Sequence, residues 1–236
     1  MSSWVSKLQE KMPNHALTIA NSAVGGNFLV SYESDGLKRG IAWQTGLSET
    51  TTGIPEDGGF DQYAPVEGDA DVIVVFAGTN DWSGGSAGII GDASDLNFNT
   101  QDVADTTIYG AVRRIIENVY SKAPLAKLLF CTPIQRYNGG EDSTAYNPDD
   151  KKPSAENGQL LNVEGGVTLF QVADAIKAAC EYYSVPCLDL CRDSGFNRLN
   201  FSYSVTNFTD DGLHPNSAGD ERLAVMIADK IQAIAG

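Results

Sequence analysis

The sequence predicts a single α/β domain, spanning residues 1–236, in which helices cover both faces of a parallel sheet. Two predicted strands, at residues 71–77 and 127–132, contain the uninterrupted apolar runs 72–77 and 128–131, which are typical of parallel strands buried on both faces. These runs alternate with segments whose apolar residues recur at helical spacing. The length of 236 residues and the hydrophobic content of 42% suffice for one sizeable core.

The N-terminal segment, residues 2–12, is predicted to form an amphipathic helix because Trp4, Leu8 and Met12 fall at positions i, i+4 and i+8. A short strand is expected at residues 16–20. The remaining predicted features of the first half are a glycine-rich loop at 21–27, a weakly patterned stretch at about 30–70 with a short helix within 36–45, the strongest strand at 71–77, and a loop from 78 to about 105.

The second half continues the alternation of helices and strands. Residues 107–122 carry a clear apolar stripe of a helix, and Pro133 ends the strand at 127–132. The later predicted features are a long polar surface loop at 137–159, a helix at 166–183, a short strand at 185–190, a loop at 193–210 and a last helix at 216–235.

The net charge of −15 argues against nucleic acid and anionic membranes as partners. It favours a soluble protein with a neutral or cationic substrate, although acidity also serves solubility alone. No apolar run approaches the ~18 residues of a membrane span, and no basic start followed by an apolar run predicts a signal peptide. The four cysteines match no zinc-binding spacing, so the sequence leaves the compartment open.

Polar loops follow several of the predicted strands, where ligands bind in parallel sheets. Asp211 lies three residues before His214, so that its carboxylate could fix the imidazole tautomer and leave the other ring nitrogen as a general base. A polar turn with a solvated histidine is the alternative. Gly26 and Asn80 lie in two other such loops, where a tight turn and a loop cap are the alternatives.

The two residues after Asn80 are also open to more than one interpretation. Asp81 is expected to be a helix cap or a structural acid rather than a catalyst. Trp82 is either a core residue or an aromatic ring that stacks on a sugar. His15 lies in a polar turn and is assigned no role.

Three motifs carry a resemblance to a known family. They are Asn21-Ser22-Ala23-Val24-Gly25-Gly26, the G-x-N-D motif at residues 78–81 and the D-x-x-H-P-N motif at residues 211–216. In order and spacing they resemble the second, third and fifth blocks of the SGNH (GDSL-type) hydrolases. The resemblance implies a flavodoxin-like three-layer α/β/α sandwich and a Ser-His-Asp mechanism without metal or organic cofactor. It assigns His214 and Asp211 to the catalytic group, and Gly26 and Asn80 to the oxyanion hole.

The sequence departs from this family at its start. The first block, an apolar strand that ends in G-D-S and supplies the nucleophile, would precede the helix at 2–12. We therefore expect the chain to be an N-terminally truncated domain, with the first strand and the serine outside it, or another segment to fill the gap. Other serines are not in the expected place, and none is assigned as the nucleophile: Ser2, Ser3, Ser22, Ser94 and Ser194.

The leading functional hypothesis is an acyl-ester hydrolase acting on a small-molecule or carbohydrate ester, with carbohydrate O-deacetylation as the finer hypothesis. The alternative is a non-catalytic binding module that has lost the nucleophile. A flavodoxin-like nucleotide or phosphate binder ranks last because no P-loop or G-x-G-x-x-G motif opens a helix. The acyl group, the alcohol and the oligomeric state stay open.

Overall fold

The structure is a computed structural model that describes residues 3–23, 25–34, 37–47, 66, 68–84, 88–136, 167–197, 208–210 and 212–235. The predicted loop at 137–159 and the predicted catalytic residue Asp211 lie outside the described residues. In chain order the elements are α1 (Trp4–Lys11), β1 (Tyr32–Ser34), β2 (Leu37–Arg39), α2 (Ile41–Gly46), β3 (Val72–Phe76), α3 (Thr79–Gly84), α4 (Ile108–Lys122), β4 (Lys127–Cys131), α5 (Leu169–Tyr182), β5 (Cys187–Leu188), α6 (Leu190–Asp193) and α7 (Ser217–Ala235).

The centre of the fold is a parallel sheet in the order β3-β4-β5. Phe76, the last residue of β3, lies beside Cys131 at the end of β4, and Cys131 lies beside Leu188 in β5. The carboxyl ends of the three strands therefore meet at one edge of the sheet. This arrangement confirms the predicted α/β class.

Successive residues of β4 point to opposite faces of the sheet, as strand geometry requires. Leu128 and Phe130 pack in the core formed with α4 and α5, whereas Leu129 and Cys131 pack in the core formed with α1 and α7. Both cores are closed by apolar faces of helices, so the molecule has the three layers of an α/β/α sandwich. No helix in the described ranges is both long and apolar enough to cross a membrane.

The helix boundaries follow from local capping. Thr107 caps α4 by accepting a hydrogen bond from the Gly110 N–H, and Thr168 and Gln171 form a capping box at the start of α5. These starts lie within three residues of the positions predicted from sequence. The prediction of the two long internal helices is thus confirmed.

The strand predicted at residues 16–20 is wrong for the described structure. The Leu17 N–H donates to the Gln9 side chain rather than to a strand, and Ile19 is 43% exposed. The structure instead places an antiparallel hairpin, β1 and β2, in the stretch that the sequence left weakly patterned. The predicted short helix within 36–45 exists as α2, which begins five residues later than the start of that range.

The strand β3 is less buried than its apolar sequence predicts. Val75 is buried, but Val72, Ile73, Val74 and Phe76 are half-buried. Among the described residues, β3 pairs with β4 alone, so its other edge carries no strand there. This open edge explains the partial exposure.

Candidate active site

The loop between β3 and α3 is shaped by a glycine whose backbone no other residue adopts readily. Gly78 has φ +109, and a Cβ at this position would lie 3.2 Å from atoms of both Ile176 and Pro133. The chain turns tightly here and enters α3 at Thr79. As a result, Asn80 and Asp81 lie directly beyond the carboxyl end of β3.

Asp81 holds the chain segment that follows Gly26. Its carboxylate is fully buried, with Oδ2 accepting from the Leu29 N–H at 2.8 Å and Oδ1 accepting from the Val30 N–H at 2.9 Å. Burial raises the pKa of Asp81 to about 6, although the two backbone hydrogen bonds favour the charged form. Asp81 is therefore the structural acid that the sequence predicts, and it fixes residues 29 and 30 against α3.

Asn80 binds the same segment at Asn27, the residue that follows Gly26. Its Nδ2 donates to the carbonyl oxygen of Asn27 at 2.8 Å. The amide carries a second hydrogen that this bond does not use. Gly26 precedes Asn27, has φ +76 and is exposed, and no atom lies within 4 Å of a Cβ built on it. The structure thus brings together two of the predicted site residues, Gly26 on its loop and Asn80 in the first turn of α3.

A buried cation accompanies this pair of loops. Arg136, which follows β4, donates from Nη1 to the Thr79 Oγ1 at 3.0 Å, and its guanidinium carbon lies 5.4 Å from the centre of the Trp82 ring. Because Thr79 directly precedes Asn80, this bond anchors the start of α3 that carries Asn80. Sequence reasoning missed Arg136, although its place just after a predicted strand could have pointed to it.

Trp82 belongs to the core. It is fully buried, and its indole N–H donates to the Val167 carbonyl at 3.1 Å. The core interpretation is confirmed, and the interpretation as an exposed sugar-stacking ring is wrong because no face of the ring reaches solvent.

His214 lies in a turn that is closed by backbone and side-chain hydrogen bonds. Thr209 and Pro215 form an isolated antiparallel β-bridge. Between them, the Gly212 N–H donates to the Thr209 Oγ1 at 3.1 Å, and Gly212 has φ +78. Asn216 then caps α7 by accepting from two N–H groups at its start. The imidazole is presented on an exposed turn, and its pairing with Asp211 stays a prediction.

The start of α7 lies at the same edge of the sheet as the end of β3. Asp220, in the first turn of α7, accepts from the Trp4 N–H at 3.1 Å. The Trp4 ring in turn lies 6.2 Å from the ring of Phe76, the last residue of β3. Hence the first turn of α1, the turn before α7 and the carboxyl end of β3 are neighbours.

Two of the serines set aside in the sequence analysis, Ser94 and Ser194, have ordinary structural surroundings. Ser94 lies in an exposed 3₁₀ turn, where its N–H donates to Asp92. Ser194 is buried, and its Oγ accepts from the Phe196 N–H. In the described part of the chain, no group of three or more His, Cys, Asp or Glu residues is arranged to hold a metal ion.

The whole of this arrangement falls within the match to a family model. The model of the GDSL-like Lipase/Acylhydrolase family matches residues 2–222. The chain belongs to this family. The family resemblance drawn from the three sequence motifs is thereby confirmed.

Two solved structures support the fold of this GDSL-like family member. A possible lipase from Chitinophaga pinensis DSM 2588 is 23% identical, with a TM-score of 0.58 over 98% of this chain and 88% of the other. Est24, a carbohydrate acetylesterase from Sinorhizobium meliloti, is 14% identical, with a TM-score of 0.53 over 98% and 85%. Another solved structure is 31% identical, with a TM-score of 0.49. The match covers 70% of the present chain and 65% of the other chain. No protein of curated function matches by sequence.

Proposed function

We propose that this GDSL-like protein hydrolyses acyl esters through a serine nucleophile, with His214 as general base and Asp211 orienting the imidazole. The Gly26 N–H and the Asn80 amide would bind the oxyanion. The observation that carries the proposal is the hydrogen bond from the Asn80 Nδ2 to the Asn27 carbonyl, together with the two bonds that Asp81 accepts. These three bonds join α3, which carries Asn80, to the segment that follows Gly26. The two proposed donors, the Asn80 amide and the Gly26 N–H, are thereby held near each other in advance, as oxyanion stabilisation requires.

The chemical steps follow from these roles. The serine Oγ attacks the acyl carbon as its proton passes to His214, and the carbonyl electrons move onto the oxygen held by Gly26 and Asn80. When the tetrahedral intermediate collapses, His214 returns the proton to the leaving alkoxide and the alcohol departs. A water molecule then hydrolyses the acyl-enzyme by the same route. Loss of one oxyanion donor typically lowers the rate by about 10²–10³-fold.

We place the nucleophile ahead of α1, on a strand that would complete the domain. The bond from the Trp4 N–H to Asp220 supports this placement, because a segment entering α1 there would emerge beside the turn that carries His214. The open edge of β3 supports it as well, since a parallel strand on that edge would pair its backbone groups. It would also cover the half-buried side chains Val72, Val74 and Phe76.

For the substrate, we propose a small-molecule ester, with an acetylated carbohydrate as the finer candidate. A net charge of −15 disfavours anionic partners and suits a neutral, hydrated ester. The similar fold of Est24, a carbohydrate acetylesterase from Sinorhizobium meliloti, points in the same direction.

Covalent labelling tests the proposal. A fluorophosphonate probe reacts with an activated serine by forming an Oγ–P bond and losing fluoride. Applied to the protein expressed from its full reading frame, the probe is expected to label one serine that precedes residue 1, as located by peptide mass spectrometry. His214→Ala is expected to abolish labelling, whereas Asn97→Ala, in an exposed turn, retains it.

Two results would contradict the proposal in different ways. Labelling of a serine within residues 1–236 would overturn the placement of the nucleophile but leave the ester hydrolase in place. No labelling, with a folded protein, would favour the binding module that lacks a nucleophile.

A further inference from the structure

The loop beside Asn80 contains a buried hydrogen-bond donor that is unsatisfied among the described residues. Asn27 is 8% exposed, and its side-chain Nδ2 has no hydrogen-bond partner. Most buried polar atoms in native proteins are paired, and an unpaired one destabilises the fold. A group that is retained at such a cost calls for a functional explanation.

The orientation of this amide follows from its neighbour. The Asn27 Oδ1 accepts from the Phe28 N–H at 3.1 Å. Exchanging the two ends of the amide would bring the NH₂ group against that N–H, donor against donor, so the oxygen belongs where it is placed. The unpaired atom is therefore a true donor.

Hydrogen bonds from and to α3 hold the backbone at Asn27 and in the residues that follow it. Its own carbonyl accepts from the Asn80 Nδ2, and Leu29 and Val30, two and three residues later, are bound to Asp81. Gly26, directly before it, is the other proposed oxyanion donor. The Asn27 amide is thus a preorganised third donor within the same short loop.

We infer that the Asn27 side-chain Nδ2 donates a hydrogen bond to the acyl carbonyl oxygen of the ester substrate, beside the donors Gly26 and Asn80. The inference rests on the proposed function. Among the described residues this donor is buried and unpaired, and we expect it to become paired when the substrate carbonyl occupies the site. The bond strengthens as the oxygen gains negative charge, because hydrogen bonds to ionised acceptors are stronger than those to neutral ones.

This role predicts opposite effects on activity and on stability. In the protein expressed from its full reading frame, Asn27→Ala is expected to lower kcat for 4-nitrophenyl acetate by about 10²–10³-fold with little change in KM, since one transition-state donor is lost. Its melting temperature is expected to stay the same or rise, because the substitution removes an unpaired buried donor. A purely structural asparagine would show the reverse.

Two further variants sharpen the test. Asn27→Asp keeps the oxygen that binds Phe28 but replaces the donor by a charged acceptor, so it is expected to lose more activity than Asn27→Ala. Asn97→Ala removes the same side chain from an exposed turn, where the Oδ1 accepts only a local bond from the Asn99 N–H. It is expected to keep wild-type kcat.

The outcomes separate this inference from the proposed function. If wild type hydrolyses the ester and Asn27→Ala retains kcat within about twofold, the role of Asn27 is wrong and the proposed function stands. If the melting temperature of Asn27→Ala falls together with its kcat, the role is also wrong and Asn27 is a structural residue. If wild type hydrolyses no ester, the proposed function fails, and this inference fails with it.

Discussion

Replacing Asp81 by Asn is expected to change how the stability of the protein depends on pH. The Asp81 carboxyl is fully buried, and burial raises its pKa from 3.8 to about 6. Between these two values the folded protein binds more protons than the unfolded chain. The free energy of unfolding therefore falls as the pH rises through this window. The stabilisation that comes from protonated Asp81 is fully present only below pH 3.8.

The magnitude follows from the size of the shift. A displacement of about two pKa units corresponds to about 3 kcal/mol once the group is ionised in both states. From about pH 4 to about pH 7.5, the wild-type protein is expected to lose about 2 kcal/mol relative to Asp81→Asn. The variant also differs from wild type by a pH-independent loss of unfolding free energy. An Asn has only one acceptor oxygen, so its NH₂ group would face the N–H of either Leu29 or Val30, donor against donor.

Urea unfolding of both proteins at a series of pH values measures this difference. Asp92→Asn is the matched control, since Asp92 is exposed and the Ser94 N–H lowers its pKa, so its pH dependence has the opposite sign. A wild-type-to-Asp81→Asn difference that stays constant across the window would refute the reasoning. A difference that grows in favour of wild type at high pH would show that the hydrogen bonds outweigh burial.

Two further substitutions test the packing that positions the site. Gly110→Ala places a Cβ 2.0 Å from the Ala104 carbonyl oxygen, so α4 must shift, and thermal unfolding is expected to show a loss of about 1–3 kcal/mol or more; an unchanged melting temperature would contradict that close contact. Thr132→Val removes a buried hydroxyl that donates to Asp189 and accepts from the Cys191 N–H. Urea unfolding is expected to show a loss of about 1–3 kcal/mol, whereas a stability equal to wild type would mean that these groups find other partners.

The main elements of the fold could be predicted because their signals are local. The apolar runs of β3 and β4 and the stripe of α4 each lie within one segment, and the structure places all three within a residue or so of their predicted bounds. The hairpin β1–β2 could not be predicted, since strands of three mixed residues show no periodicity. The strand at 16–20 was predicted wrongly because a strand depends on a partner that lies elsewhere in the chain.

The site was predictable only where a motif marks it. Gly26 and Asn80 lie in loops with recognisable sequences, and the structure brings these loops together through Asn27. Asn27 itself carries no sequence signal, because an asparagine in a polar loop is usually exposed. Its burial and its missing partner result from long-range packing against α3, as does the approach of Arg136 to Thr79.

The most direct measurement is the steady-state hydrolysis of 4-nitrophenyl acetate by the protein expressed from its full reading frame, compared with its Asn80→Ala variant. If the loops after β3 and around Gly26 form an oxyanion site, the variant should fold normally and lose about 10²–10³-fold in kcat with little change in KM. A folded Asn80→Ala variant that hydrolyses the ester as fast as wild type would contradict the account.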